Sequence, residues 1–325
     1  MKSEILHIVY ATDKGYLVPT IVAACSAAYW VSRADSIEID ILDCGLDDQD
    51  WMALVARIGQ VREVKVVRYD VEMSQFDGYA IWNNSRGIYA RLLLPNILRD
   101  VDWCVYCDGD TLFTDDPLKL VCYMDDRYAL VGHADNDTRV QEKWFQAHDI
   151  EWDQGQYVCA GFIIENLAWF RKHNGVQRAF DFIAKYNPPL NDQDAYYYLC
   201  KGFVNRLENG WGVFGYMVTG DRWPGCIHYA SRQPWKLIYM PRRGILDVER
   251  LWFVFAKKVC RLTAKDFGRD YNRVRHFALE CVSLWFWIFF SFFGLIPAFK
   301  GRAAVFKSQS FGRRQIREYL WSGRR

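Results

Sequence analysis

The sequence predicts an α/β domain built on a mainly parallel central sheet, followed by a C-terminal helical appendage. Three observations lead there. Short apolar runs alternate with stretches of helical spacing through the first half of the chain, as in sheets whose strands are joined by right-handed crossovers. Two Asp-bearing segments, Ala11 to Asp13 and Asp108 to Asp110, fall at the carboxyl ends of such runs. Ligands bind such sheets at those ends. Beyond residue 250 the character of the chain changes, so residues 1–250 read as the α/β domain and 251–325 as a distinct helical region.

The elements follow in order. Residues 5–11 form a short apolar β run. Residues 16–30 are small and apolar at helical spacing, and Pro19 is tolerated in a first turn. Residues 37–42 alternate as a strand, Asp47 or Asp48 caps a helix reaching residue 58, and 63–68 return as a strand. Residues 88–98 read as a helix and lead into a strand that stops at Asp108. In the second half, 157–166 is an apolar strand, 167–186 is helical with one break, and a tyrosine-rich helix opens at Asn191. Residues 226–229 form a short strand.

Composition narrows the class. With 51% hydrophobic and 17% aromatic residues in 325, the chain can bury a large core, which excludes a disordered protein. The net charge of +2 hides an asymmetry: residues 257–325 carry 15 Lys/Arg against four acids, a net of +11, which leaves −9 on residues 1–256. An acidic body with a basic tail implies that the tail meets an anionic surface. No nucleic-acid-binding module is recognisable, so no nucleic-acid partner is expected. The ten cysteines are scattered through apolar stretches, and no signal peptide precedes the first strand. Reduced thiols in the cytoplasm are the expectation. Cys104 and Cys107 are spaced as CxxC but on a strand face opposite sides, against a shared zinc or redox role.

Asp108, Gly109 and Asp110 carry the most chemistry. Residues two apart in an extended segment point to one side, so both carboxylates can face one cation. Glycine between them removes a side chain that would hold a ligand off the backbone. Two hard oxygens suit Mg²⁺ or Mn²⁺ when phosphate oxygens and water complete the shell. Asp-Gly is also a common turn, and the pair alone does not separate the two readings.

The surrounding motifs do. IVYATDKGY at 8–16 is followed by YARL at 89–92, YCDGDT at 106–111, CAGF at 159–162, NDQD at 191–194 and IHYASRQPWK at 227–236. In this order they resemble family 8 glycosyltransferases, retaining nucleotide-sugar enzymes, over residues 5–240. The resemblance implies a GT-A fold, a UDP-sugar donor and Mn²⁺ or Mg²⁺. It implies that Ala11, Thr12 and Asp13 meet uracil and ribose, that Gly15 is a third nucleotide contact, and that Arg91 and Ala160 lie near the donor sugar. Asp108, Asp110 and His228 would ligate the metal, with Gly109 between the carboxylates. A histidine beside two carboxylates suits a borderline ion such as Mn²⁺. Asp135, Asp192 and Gln193 would line the sugar and acceptor pocket, although Asp192 also reads as a helix N-cap.

Retention could use a carboxylate nucleophile, as in retaining glycosidases. The matching position is Gln193, a poor nucleophile, which favours front-face departure and attack. Three residues depart from the family pattern: Cys159 for an asparagine, Ser231 for a glycine, and Gln233 for a lysine that contacts the diphosphate. Arg232 is expected to supply the missing cation, with Lys236 as the alternative.

Residues 281–299 (CVSLWFWIFFSFFGLIPAF) carry no charge, are dominated by aromatics and are flanked by basic residues. They read as an in-plane or re-entrant anchor, with a span and a buried core helix as alternatives. The expected function is transfer of galactose or glucose from UDP to a lipopolysaccharide-core or related surface glycan, at the inner face of the cytoplasmic membrane. The alternative is a sugar-nucleotide-binding, membrane-docked partner protein with weak or no transfer.

Overall fold

The structure is a computed structural model describing residues 5–81, 85–135, 138–207, 210–218, 223–230, 233–236, 247–263, 265–267, 278, 281, 282, 285 and 289. The chain opens with β1 (Leu6–Thr12), α1 (Leu17–Trp30), β2 (Ile37–Asp43), α2 (Asp48–Val61) and β3 (Lys65–Asp70). Asp47 caps α2 by accepting the Asp50 N–H at 2.8 Å. A 3₁₀ segment Gly87–Leu93 leads into α3 (Leu94–Ile97), then β4 (Trp103–Cys107) and β5 (Thr111–Phe113). The single long helix expected over 88–98 is therefore not formed. Pro95 has no N–H to donate to the Arg91 carbonyl, so the α-helical ladder cannot run through it. Leu94 N–H bonds that carbonyl instead, in 3₁₀ fashion.

The second half supplies β6 (Leu130–Ala134), α4 (Arg139–Ala147), β7 (Val158–Asn166), α5 (Leu167–Lys172), α6 (Gly175–Tyr186), α7 (Asn191–Cys200), β8 (Val204–Arg206), β9 (Val213–Phe214) and β10 (Cys226–His228). The break expected within 167–186 falls at Asn174, which adopts a left-handed φ of 57° between α5 and α6. Seven strands form one sheet in the order β3-β2-β1-β4-β7-β6-β8. Pairings among β1 to β4 are parallel, β7 runs antiparallel to β4 and β6, and β8 is parallel to β6. A small sheet β5-β10-β9 stands beside it.

Both faces of the large sheet are covered. Ile8, Tyr10, Ile39, Ile41 and Val105 join one core with α1, whereas Val9, Leu42, Tyr106 and Ile163 join the other with α7. Strand alternation accounts for that partition. It also sends Cys104 to one core and Cys107 to the other, as their spacing implies.

The chain continues into α8 (Asp247–Lys258). Val248, Leu251, Trp252, Phe255, Cys260 and Leu262 are buried in the α1-side core. The helix thus crosses position 250, where the change in sequence character begins, and the described residues just beyond it pack as part of the α/β core. Most of 281–299 lies outside the described residues. Among those described, no helix is long and apolar enough to cross a membrane.

Candidate active site

Strand ends deliver the parts of the site. After β1, Asp13 accepts the Tyr16 N–H at 3.0 Å and turns the chain into α1. Thr20 on α1 bonds Thr12 side chain to side chain at 3.0 Å. A β-carbon at 109 would stand 2.3 Å from Thr20 Oγ1. The room that Gly109 leaves is therefore filled by α1 rather than held open for a ligand.

Beyond Gly109 the chain enters β5, and the antiparallel pairing of β10 sets His228 opposite Thr111. Tyr229 N–H donates to the Asp110 carbonyl at 2.8 Å, which ties the two segments together. His228 Nε2 lies 3.2 Å from Asp110 Oδ1 and 3.9 Å from Asp108 Oδ2. Ligand atoms of the three residues all fall within 4.8 Å of one another. Asp110 Oδ1 is buried and makes no hydrogen bond. A β-carbon at 161 would stand 2.3 Å from His228 Cε1 and 2.6 Å from Asp108 Oδ2, so this space exists because residue 161 is glycine. Two hard oxygens, the unbonded Asp110 Oδ1 among them, and one imidazole nitrogen fit a divalent cation.

Asp110 and His228 also attract each other as an ion pair. Burial alone would push Asp110 up and His228 down. Their mutual attraction outweighs burial, holding the carboxyl below its ordinary range and the imidazole well above its own. The Phe214 ring stacks on the imidazole at 5.5 Å, and Cys159 Sγ sits 3.7 Å from Nδ1. A thiol thus occupies the place beside a metal-facing histidine that a carboxylate or carbonyl more often takes.

Arg91, from the 3₁₀ segment, is the opposite wall. Its Nη1 donates to the Ala160 carbonyl at 2.7 Å and its Nη2 to Asp108 Oδ1 at 2.7 Å. Nε faces Asp192 Oδ2 at 3.1 Å, and the guanidinium lies 4.4 Å from the Tyr106 ring centre. Burial pushes the Asp192 carboxyl up to about 6; Arg91 opposes that rise and Asp108 adds to it. Asp192 does not cap α7 with its side chain. Asp194 reaches back to the Leu190 N–H at 2.8 Å, while Asp192 turns to Arg91. Gln193 is held at both ends: Oε1 accepts the Ala160 N–H at 2.9 Å, and Nε2 donates to Asp135 at 3.1 Å.

One cleft of about 760 Å³ is lined by nearly every residue singled out from the sequence: Ala11, Thr12, Asp13, Gly15, Arg91, Asp108, Gly109, Asp110, Asp135, Ala160, Asp192, Gln193, His228 and Gln233. Ser231 and Arg232 lie outside the described residues. Sequence reasoning misses Tyr16, whose hydroxyl donates to Asp110 Oδ2 at 3.2 Å, and gives Gly161 and Phe214 no role. Tyr16 sits three residues after Asp13 in the first motif, where the local pattern marks only the start of a helix. A second grouping, His7, Glu38 and Asp40, also has ligand-like spacing. There His7 holds Asp40 Oδ2 at 2.8 Å and Lys65 holds Glu38 at 2.7 Å, while Asp40 Oδ1 makes no hydrogen bond; none of the three lines the cleft.

The matching family model is glycosyl transferase family 8, over residues 7–237, and the chain belongs to that family. A Haemophilus influenzae protein assigned as a glycosyltransferase is 26% identical over 212 residues, covering 64% of this chain. The match spans 63% of that relative's length. Among solved structures, the galactosyltransferase LgtC, in complex with donor and acceptor sugar analogs, superposes with a TM-score of 0.67 at 22% identity. That match covers 82% of this chain and 100% of LgtC. The bifunctional glycosyltransferase WbbM, in its apo form, gives 0.64 at 15% identity over 87% of this chain and 52% of WbbM. The fold is GT-A-like, and Asp108 and Asp110, of the group that could hold a metal, follow the carboxyl end of β4.

Proposed function

We propose that the protein is a metal-dependent, retaining hexosyltransferase that moves galactose or glucose from UDP to a surface-glycan acceptor, lipopolysaccharide core foremost. The observation that carries this reading is the convergence of Asp108, Asp110 and His228 on one space at the floor of the cleft. These three would hold Mn²⁺ or Mg²⁺, which when bound neutralises charge on the leaving diphosphate. Ala11, Thr12, Asp13 and Gly15 line the end of the cleft assigned to the nucleoside. Arg91 holds Asp108 and Asp192 in fixed relation, so the metal ligand and the sugar-facing carboxylate move together.

In transfer, the bond from the sugar C1 to the phosphate oxygen breaks and one from C1 to the acceptor oxygen forms. The acceptor proton passes to the departing phosphate oxygen. Gln193 is ill suited to attack, because its amide oxygen already accepts the Ala160 N–H. That arrangement favours front-face departure and attack, with Gln193 and Asp135 shaping the pocket.

The decisive experiment measures UDP release from a panel of UDP-sugars, with a lipooligosaccharide acceptor, in Mn²⁺ and in EDTA. One UDP-hexose is expected to turn over with Mn²⁺ and to stop in EDTA. No release from any donor overturns the transfer reading in favour of a binding-only protein.

The same reading places the protein on the cytoplasmic membrane surface, next to a lipid-linked acceptor. Trp285 is 58% exposed and stacks on Phe289 at 5.2 Å, one helical turn away. An exposed tryptophan beside a strongly basic tail suits an anionic bilayer surface. The full chain is expected to float with phosphatidylglycerol vesicles and to be released by high salt. Failure to float with vesicles of any composition removes the membrane assignment.

A further inference from the structure

The diphosphate of a nucleotide-sugar carries two negative charges and gains a third as the sugar leaves, one more than a divalent cation neutralises, so a cation of the protein's own would stabilise the leaving group. Among the described residues three Lys or Arg side chains line it: Lys14, Arg91 and Lys236. Arg91 is spent on the protein, with Ala160, Asp108 and Asp192 along its edges and Tyr106 against its face. Lys14 is drawn to the start of α2 by Asp47 at 2.9 Å and Asp50 at 3.4 Å. Lys236 has no carboxylate within ion-pair distance among the described residues. Its ammonium stands 5.8 Å from the centre of the Tyr16 ring, whose hydroxyl reaches the metal-facing Asp110.

The mounting of Lys236 is rigid. It ends a 3₁₀ turn, Pro234–Lys236, closed by its own N–H to the Gln233 carbonyl at 3.1 Å. Trp235 at the centre of that turn is buried, edge-on to Tyr16 at 5.8 Å and packed on Trp252 of α8 at 5.2 Å. Gln233 Nε2 donates to the Tyr16 hydroxyl at 2.5 Å, so this neutral side chain positions Tyr16. The turn therefore sets a single mobile ammonium on a fixed base beside the metal ligands.

We propose that Lys236 is the protein's cation for the diphosphate of the donor, acting beside the candidate metal ligands. This rests on the nucleotide-sugar reading above and adds to it a choice between the two cations that the motif pattern offers, in favour of Lys236. Gln233 then serves Tyr16, and the expected substitute, Arg232, is not required.

The test is binding of UDP and of uridine, each with Mn²⁺, to the full chain and to its Lys236→Met, Lys236→Arg and Arg232→Met variants. Removing one charge-assisted hydrogen bond should weaken UDP binding to Lys236→Met on the order of 10- to 100-fold while uridine binding stays unchanged. Lys236→Arg should recover part of that affinity, because the charge remains. Unchanged UDP affinity in Lys236→Met overturns the assignment, as does an equal weakening for UDP and uridine. A weakening confined to Arg232→Met transfers the role to Arg232. If the unaltered chain binds UDP no better than uridine, the nucleotide-sugar reading itself fails, a result distinct from the others.

Discussion

The Asp110→Asn variant is expected to lose Mn²⁺ binding and to lower kcat/KM for transfer by about 10³-fold or more, since the metal supplies several kcal/mol of charge stabilisation. The substitution preserves volume and keeps one oxygen. It removes the charge that opposes His228 at 3.2 Å and supplies the buried oxygen that no hydrogen bond satisfies. Gly161→Ala is the complementary change. It deletes no ligand atom, yet its methyl would sit 2.3 Å from the His228 ring and 2.6 Å from Asp108. Both variants should leave free Mn²⁺ visible by electron paramagnetic resonance where the unaltered protein quenches it. Tight Mn²⁺ binding and normal turnover in Asp110→Asn would sink the metal assignment.

Glu165→Gln should stabilise the protein in mildly alkaline solution. Glu165 lies within β7, opposite Cys104 of β4, and is fully buried. Tyr196 donates to Oε2 at 3.1 Å, while Oε1 makes no hydrogen bond. Burial pushes its carboxyl up to about 8, against the pull of Tyr196 and Arg91. The folded state therefore holds the proton more tightly than the unfolded chain does. Its contribution is fully present below the unfolded value of 4.5 and is lost as pH rises to about 8. Glutamine has no proton to lose, so across that interval the variant should gain on the order of 3–5 kcal/mol over the parent. Urea unfolding at pH 5 and pH 8.5 tests it. A gap that is the same at both values would mean that Glu165 does not titrate with folding.

The contrast between these two residues shows what a sequence exposes. Asp110 was legible because its motif stands at a strand end, in series with five others, and strand ends can be read from local periodicity. The alternation of β1 to β3 with α1 and α2 was legible for the same reason. Glu165 is plainly visible in the chain, yet its environment comes from β4 and α7, which no local pattern reports. The link from Gln233 to Tyr16 spans 217 residues, and Cys159 meets His228 across 69. Such contacts are created by sheet topology, not by spacing. Near Pro95 local reasoning also failed, because apolar periodicity outvoted one missing N–H. The expectation for Arg232 rests on motif position, whereas the proposal for Lys236 rests on a turn that places it in the cleft lining.

Trp252 of α8 is wholly buried and braces Trp235 from behind. Because Trp235 carries the turn that ends in Lys236, this edge of the cleft is wedged in place by a helix lying beyond every recognised motif. Anyone shortening this chain to the span that its family model matches would pull out that wedge. A version expected to keep a formed site extends at least through Phe267, which packs on Trp252 at 5.8 Å.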